Sequence, residues 1–158
     1  MTLNSQHLAQ FIDRHGIDAE IIHLEVDTPT VADAAEAVGA PPQQIIKSVL
    51  FLADKRPVLV IANGFTRIDS KRLADYLGVA RRRVKVAGGE QVLAATGYPA
   101  GAVPPFGHKE KLPTLIERGV LTETQLYGGG GEIHALLRLT LSELQRIVGN
   151  EVVDLAET

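Results

Sequence analysis

Ile45-Ile46-Lys47-Ser48-Val49-Leu50-Phe51-Leu52-Ala53 and Val58-Leu59-Val60-Ile61-Ala62-Asn63, joined through Arg56-Pro57, are the two most β-like runs of the chain. Both are dominated by β-branched and large aliphatic residues, which pack well on a pleated surface, and the short link favours antiparallel pairing. They predict a central hairpin and the heart of a sheet. Strand alternation puts Ile45, Lys47, Val49 and Phe51 on one face and Ile46, Ser48, Leu50 and Leu52 on the other. A cation therefore shares a face with hydrophobes, and burying an ammonium without a partner is costly. Two arrangements resolve the conflict: Lys47 opens into a cleft at the start of the strand, or it lies at an edge and extends its ammonium to water.

Helical and strand patterns surround this hairpin. Leu8, Phe11 and Ile12 mark an amphipathic helix over 3–15 that stops at Gly16. Residues 20–26 alternate as a strand and break at Asp27-Thr28-Pro29, after which Thr30 opens a second helix that runs to Gly39. Asp69 caps a third helix ending at Leu77-Gly78, a short strand is expected at 84–86, and a short helix at 88–95. A strand pair is expected within 112–121, a strand over 133–139 entered through Gly128 to Gly131, a last helix capped by Thr140 or Ser142, and a final strand at Val152-Val153. The order lacks a strict βαβ rhythm, and several connections are too short for parallel crossovers. The expected fold is α+β: one domain over 1–158, with a curved, mostly antiparallel mixed central sheet flanked by helices.

Composition narrows the function classes. The chain has 158 residues, 45% hydrophobic and 22% charged, which suits one soluble globular core. Its longest apolar run, Val58 to Ala62, is far shorter than the ~20 residues of a membrane-spanning helix, and no signal-peptide pattern opens it. A cytoplasmic protein without a membrane partner is expected. Having no cysteine, it has no disulfide, thiolate metal site or cysteine nucleophile. A formal charge of -3 opposes broad electrostatic binding to nucleic acid, so any RNA contact must be local. Arg81, Arg82, Arg83 and Lys85 form the one basic cluster, which reads either as a solvated surface or as a phosphate contact.

The stretch Thr96-Gly97-Tyr98-Pro99-Ala100-Gly101-Ala102-Val103-Pro104-Pro105-Phe106-Gly107 combines glycines that permit close approach with prolines that stiffen the chain. It is either a rigid connection or a loop that presents backbone N–H groups to a carbonyl oxygen, as stabilisation of an ester-hydrolysis transition state requires. Gly128 to Gly131 has neither the lysine of a Walker loop nor the context of a dinucleotide fingerprint; it reads as a flexible turn, or as backbone packed closely on a substrate. His7, His15, His23, His108 and His134 lack metal-ligand spacing, so neither a metal nor another cofactor is expected. No Gly-x-Ser-x-Gly elbow is present.

Thr30-Val-Ala-Asp-Ala-Ala with Gly39, Ile46 to Phe51, Asn63-Gly64, Arg67-Ile68-Asp69-Ser70-Lys71-Arg72-Leu73, and Gly101 to Gly107 occur in one order along nearly the whole chain. Together they resemble the YbaK/prolyl-tRNA-synthetase-associated domain family. The resemblance implies deacylation, in trans, of mischarged tRNA carrying a small amino acid: cysteine, alanine or serine, with tRNA for proline the expected carrier. It implies Lys47 as the catalytic residue, matching the family's key lysine, and Gly101 and Pro105 as the ends of its Gly-x-x-x-Pro loop. Ala102 and Pro104 depart from the commoner Gly and Ser, which bears on pocket size and substrate choice. The expected substrate contacts are Thr28, Asn63, Gly64, Gly101, Ala102, Val103, Pro104, Pro105, Gly130 and Gly131. The aminoacyl end and terminal adenosine of tRNA are the expected partners, with a prolyl-tRNA synthetase as a further one. The alternative is a non-catalytic module that binds tRNA or an aminoacyl-adenylate beside a synthetase.

Overall fold

The computed structural model describes residues 2–28 and 30–158; Pro29, read above as part of the break after the first strand, lies outside the described residues. The predicted hairpin forms strands β2 (Ile46–Ala53) and β3 (Arg56–Asn63), paired antiparallel from Ile46↔Asn63 to Ala53↔Arg56. Its turn is Asp54-Lys55, both with positive φ (50° and 69°), and not Arg56-Pro57 as the sequence suggested. A two-residue turn of this kind matches the twist of the flanking strands, so pairing continues right up to it. Pro57 is accommodated inside β3 because β5 (Thr114–Glu117) pairs with that strand only from Leu59 onward.

Around the hairpin, β4 (Val84–Val86) pairs antiparallel with β2, whereas β5 and then β8 (Val152–Val153) add on the other side in parallel. The result is a five-stranded sheet in the order β4-β2-β3-β5-β8. A second, antiparallel sheet has the order β1-β7-β6, made of β1 (Ala19–His23), β6 (Gln125–Gly129) and β7 (Ala135–Thr140). The parallel bridge Ile45↔Tyr127 brings the two sheets together beside the start of β2. Alternation along the hairpin supplies both faces of the larger sheet. Ile46, Leu50, Leu59 and Ile61 meet Leu126, Leu137 and Leu139 of the smaller sheet in the main core. Phe51, Val58 and Val60 face the opposite way, against Leu73, Ala74 and Leu155.

Among the described residues five α-helices cover these sheets: α1 (Ser5–Arg14), α2 (Val31–Val38), α3 (Ser70–Leu77), α4 (Gly89–Thr96) and α5 (Leu141–Val148). Their ends obey the capping chemistry of the sequence. Thr30 Oγ1 accepts from the Asp33 N–H at 3.1 Å, Asp69 Oδ1 from the Lys71 N–H at 2.9 Å, and Thr140 Oγ1 from the Glu143 N–H at 3.2 Å. Gly39 and Gly78 close α2 and α3 in the left-handed conformation.

Three local expectations change. The strand predicted over 20–26 ends at His23. The predicted strand pair at 112–121 is a single strand, β5, followed by a 3-10 turn over Arg118–Thr122, where Glu117 Oε1 accepts from the Gly119 N–H at 2.8 Å and bends the chain away. The glycine tract is not a flexible turn: Gly128 and Gly129 belong to β6, paired to Leu137 and Leu136. Glycine is needed there for close approach, because a Cβ on Gly129 would lie 2.2 Å from the Val103 carbonyl oxygen. Among the described residues no helix is long and apolar enough to cross a membrane.

Candidate functional site

Lys47 is carried by the first full turn of pairing in β2, opposite Ala62 of β3. It lies on the same face as Phe51, but at the end where the apolar packing from α3 gives way to α2. There the side chain is half-buried and lines a cleft of about 210 Å³. The other walls are Thr28, Thr30, Val31 and Ala34 from the α2 region, Ile45, Ile46 and Ser48 from around the start of β2, and Gly101 and Val103 from the glycine-and-proline loop. Gly128, Gly129 and Leu136 of the smaller sheet complete it. The cleft thus sits where the two sheets, α2 and the loop converge, as the Ile45↔Tyr127 bridge brings β2 against β6.

The electrostatics of Lys47 follow from that position. Among the described residues it makes no ion pair and no side-chain hydrogen bond. Burial lowers its pKa below the usual lysine value, and the neighbouring positive charge of Arg67 lowers it further. An uncompensated cation in a partly desolvated, largely apolar cleft is poised to take an anionic or strongly polar ligand.

Opposite Lys47, the loop is held by its own hydrogen bonds. Thr96 Oγ1 donates to the Val92 carbonyl at 2.8 Å and accepts the Tyr98 N–H at 3.0 Å, and Tyr98 Oη donates to the Gly107 carbonyl at 3.1 Å. Tyr98 is fully buried, and burial pushes its phenol up to about 12. His108 Nε2 bonds the Pro104 carbonyl at 2.7 Å, and the ring stands edge-on to Tyr98. Burial drives its pKa down, partly opposed by that bond, so the imidazole is neutral near neutral pH and Nε2–H donates. The Ala102 N–H closes a turn on the Pro99 carbonyl at 3.1 Å. The N–H groups of Gly101 and Val103 have no backbone acceptor among the described residues. Gly101, at φ 89°, holds a conformation that favours glycine.

The sequence-predicted residues separate into two groups. Lys47, Thr28, Gly101 and Val103 share the cleft. Thr28 Oγ1 donates to the Ile133 carbonyl at 3.1 Å, which fixes the hydroxyl and leaves its oxygen lone pairs as acceptors. The other predicted contacts stand behind the wall. Asn63 Oδ1 accepts from the Phe65 N–H at 3.0 Å and from Thr66 Oγ1 at 3.1 Å, ordering the turn after β3. Gly64 donates to the Ile45 carbonyl at 2.7 Å and packs so closely on Val31 that an added Cβ would meet its methyls at 2.5 Å. The Gly130 N–H is taken by the Ala135 carbonyl and the Gly131 N–H by the Ala102 carbonyl, both within the fold. Ala102 and Pro104 are buried, and Pro105 lines a separate cavity of about 390 Å³ between the loop, α1 and α5.

Sequence reasoning passed over Ser48, Thr30, Val31, Ala34, Ile45, Ile46 and Leu136 as cleft residues, and weighed Gly128 and Gly129 only as part of a tract packed closely on a substrate. Ile45, Ile46 and Ser48 adjoin the anomalous lysine and were the readable signal; the others reach the cleft only through packing between distant elements. Arg81, Arg82, Arg83 and Lys85 do not line it. Lys85 pairs with Leu52, five residues along β2 from Lys47 and so about 17 Å away; Arg83 is partly engaged by Asp54 at 2.7 Å. Among the described residues no cluster of three or more histidine, aspartate or glutamate side chains is arranged to hold a metal ion.

Comparison with known proteins gives this geometry a context. The pattern of the aminoacyl-tRNA editing domain matches residues 25–147. A proline--tRNA ligase of Latilactobacillus sakei is 32% identical over 113 residues, covering 68% of this chain and 20% of the ligase. The chain therefore spans about a fifth of the length of that relative. The Bacillus subtilis protein YwhH, itself uncharacterised, is 25% identical over 134 residues, 84% of this chain and 83% of its own. A solved structure described as a candidate trans-editing enzyme for prolyl tRNA synthetase superposes with a TM-score of 0.90 at 31% identity, covering 98% of this chain and 97% of that one. Fold, cleft and sequence pattern converge, and the protein belongs to the aminoacyl-tRNA editing domain family, of the YbaK-like type.

Proposed function

We propose that this chain is a cytoplasmic deacylase that hydrolyses, in trans, the ester of tRNA mischarged with a small amino acid. Cysteine, alanine and serine are the candidate acyl groups and tRNA for proline the candidate carrier, with a prolyl-tRNA synthetase as a further partner. The observation that carries the reading is the unpaired cation Lys47 sharing a small cleft with Gly101 and Val103, whose N–H groups have no backbone acceptor among the described residues. Lys47 binds the phosphate or ribose side of the terminal adenosine. The N–H groups of Gly101 and Val103 orient the ester carbonyl and stabilise the oxyanion. Water attacks the carbonyl carbon, the acyl C–O bond to ribose breaks, the ribose oxygen takes a proton, and free amino acid leaves. In a variant of this route a nucleophile carried by the acyl group attacks the carbonyl instead of water, the same C–O bond breaks, the ribose oxygen takes the nucleophile's proton, and the acyl group leaves as a cyclic product in place of free amino acid.

Size supports small acyl groups. A cleft of about 210 Å³ is below the ~300 Å³ at which pockets for drug-sized ligands begin, and Val31, Ala34, Ile45, Val103 and Leu136 give it apolar walls. Deacylation of a panel of tRNAs charged with cysteine, alanine, serine and proline tests the proposal. Fast hydrolysis of at least one small acyl group, with cognate prolyl-tRNA spared, is expected. Binding without turnover of any of them would favour the non-catalytic module, and equal rates on simple amino-acid esters would favour a general esterase.

A further inference from the structure

The turn after β3 packs on Val31, a wall of the cleft, and carries an exposed aromatic ring. Phe65 is 62% exposed. A scattered surface hydrophobe needs no explanation by itself, but here the backbone of the turn is fixed and an exposed arginine follows two residues on. Asn63 Oδ1 holds the Phe65 N–H at 3.0 Å, the Gly64 N–H is bonded to the Ile45 carbonyl at 2.7 Å, and Gly64 is pressed onto Val31, a wall of the cleft. Two residues on, the Arg67 side chain is 86% exposed, and among the described residues its one ion pair is a long 3.8 Å contact with Glu157. The turn therefore presents a cation and an unpacked aromatic ring next to a wall of the cleft that holds a second cation, Lys47. Clustered like charges with an open π-face are the features by which proteins hold single-stranded nucleic acid: cations take phosphates and aromatic faces take bases, irrespective of sequence.

We propose that Phe65 is a stacking platform for a nucleobase of the single-stranded 3′ end of tRNA, with Arg67 contacting an adjacent phosphate, so that the acylated ribose is delivered past Lys47 into the cleft. The inference rests on the deacylase reading for its substrate, and Phe65 acts as a positioning residue. It contributes to binding the acceptor strand and not to the chemical step. Small-molecule esters, which have no base to stack, do not use it.

The chain contains no tryptophan, so Phe65→Trp creates a single indole reporter at this position. Titrating that variant with a short single-stranded RNA ending in a 3′-terminal adenosine should quench or shift its emission saturably. A blunt RNA duplex of the same composition should not. In steady-state deacylation, Phe65→Ala and Phe65→Leu should raise KM for mischarged tRNA roughly tenfold with kcat nearly unchanged, whereas Phe65→Trp should retain the wild-type KM. Arg67→Ala should lower the salt dependence of binding by about one phosphate contact. Equal KM values for the wild type, Phe65→Ala and Phe65→Leu, or indole emission indifferent to the single strand, would overturn the proposal. Such results beside wild-type turnover that depends on Lys47 would leave the deacylase intact. Saturable quenching without turnover of any charged tRNA would instead retain the platform and remove the deacylase.

Discussion

Gly129→Ala is the perturbation that most directly probes the wall facing Lys47. A Cβ there would lie 2.2 Å from the Val103 carbonyl oxygen, 2.7 Å from the Val103 carbonyl carbon and 3.1 Å from that of Ala102, all backbone atoms. Ordinary contact begins at 3.4 Å, so β6 and the loop must separate by about 1 Å. Neither side yields easily. Gly129 is paired to Leu136 in the sheet, and the loop is fastened by the Pro104–His108 bond and by the Gly131 N–H on the Ala102 carbonyl. Overpacking of this kind costs about 1–3 kcal/mol, which for a chain of this size lowers Tm by very roughly 2–12 °C. If the loop orients the ester as proposed, a shift of about 1 Å in it is expected to cost around a hundredfold in rate. Thermal unfolding, together with single-turnover deacylation at a temperature where the variant remains folded, measures both. Gly101→Ala is the contrast, since a Cβ there meets nothing within 4 Å and the cost comes only from backbone strain at φ 89°. A Gly129→Ala protein with wild-type Tm and wild-type rate would refute the contact and the role assigned to the loop.

Charge and pH supply further expectations. The pKa of Lys47 is lowered in the fold by burial and then by Arg67, so its charged form destabilises the native state; that cost is full below the folded pKa and relieved as pH rises past the unfolded value. Lys47→Met should therefore melt no lower than wild type at pH 7, and any gain should shrink in alkali; a clearly lower Tm would contradict this. His108 has a folded pKa depressed below 6.5, so its contribution to stability is present above 6.5 and lost as pH falls through the folded value. Melting and deacylation of wild type should both weaken below about pH 6, and His108→Ala, destabilised by roughly 1–3 kcal/mol, should lose that dependence; parallel pH profiles would remove His108 from the account. Replacing Arg81, Arg82 and Arg83 together by alanine should weaken tRNA association and flatten its salt dependence; unchanged association would assign the cluster to solvated surface.

Much of the architecture was legible because it is written locally. Asp69 and Thr30 before apolar periodicity, and Gly78 and Gly39 after it, specify α3 and α2 by capping chemistry that needs no distant partner. Hairpin alternation is equally local. Strand β6 was not legible, since Gln125 and the glycines carry no β signal of their own; that segment is a strand because β7 pairs with it and because the loop at Val103 leaves no room for a side chain. The same division holds for the cleft. Lys47 stands out as a cation in an apolar strand, and the loop stands out by its glycines and prolines. Ala34 and Leu136 have ordinary apolar sequence contexts and become walls only when α2 and β7 pack together. Asn63 was expected as a contact from the Asn63-Gly64 element of the family resemblance, and its Oδ1 is engaged in the turn that carries Phe65.

The central claim is that Lys47 holds the acceptor end of mischarged tRNA against the free N–H groups of the loop. Single-turnover deacylation by wild type and Lys47→Ala, with the far-ultraviolet circular dichroism of both recorded, tests it most directly. The account predicts superimposable spectra and hydrolysis by the variant no faster than the uncatalysed ester. Wild-type hydrolysis by a folded Lys47→Ala protein would contradict it.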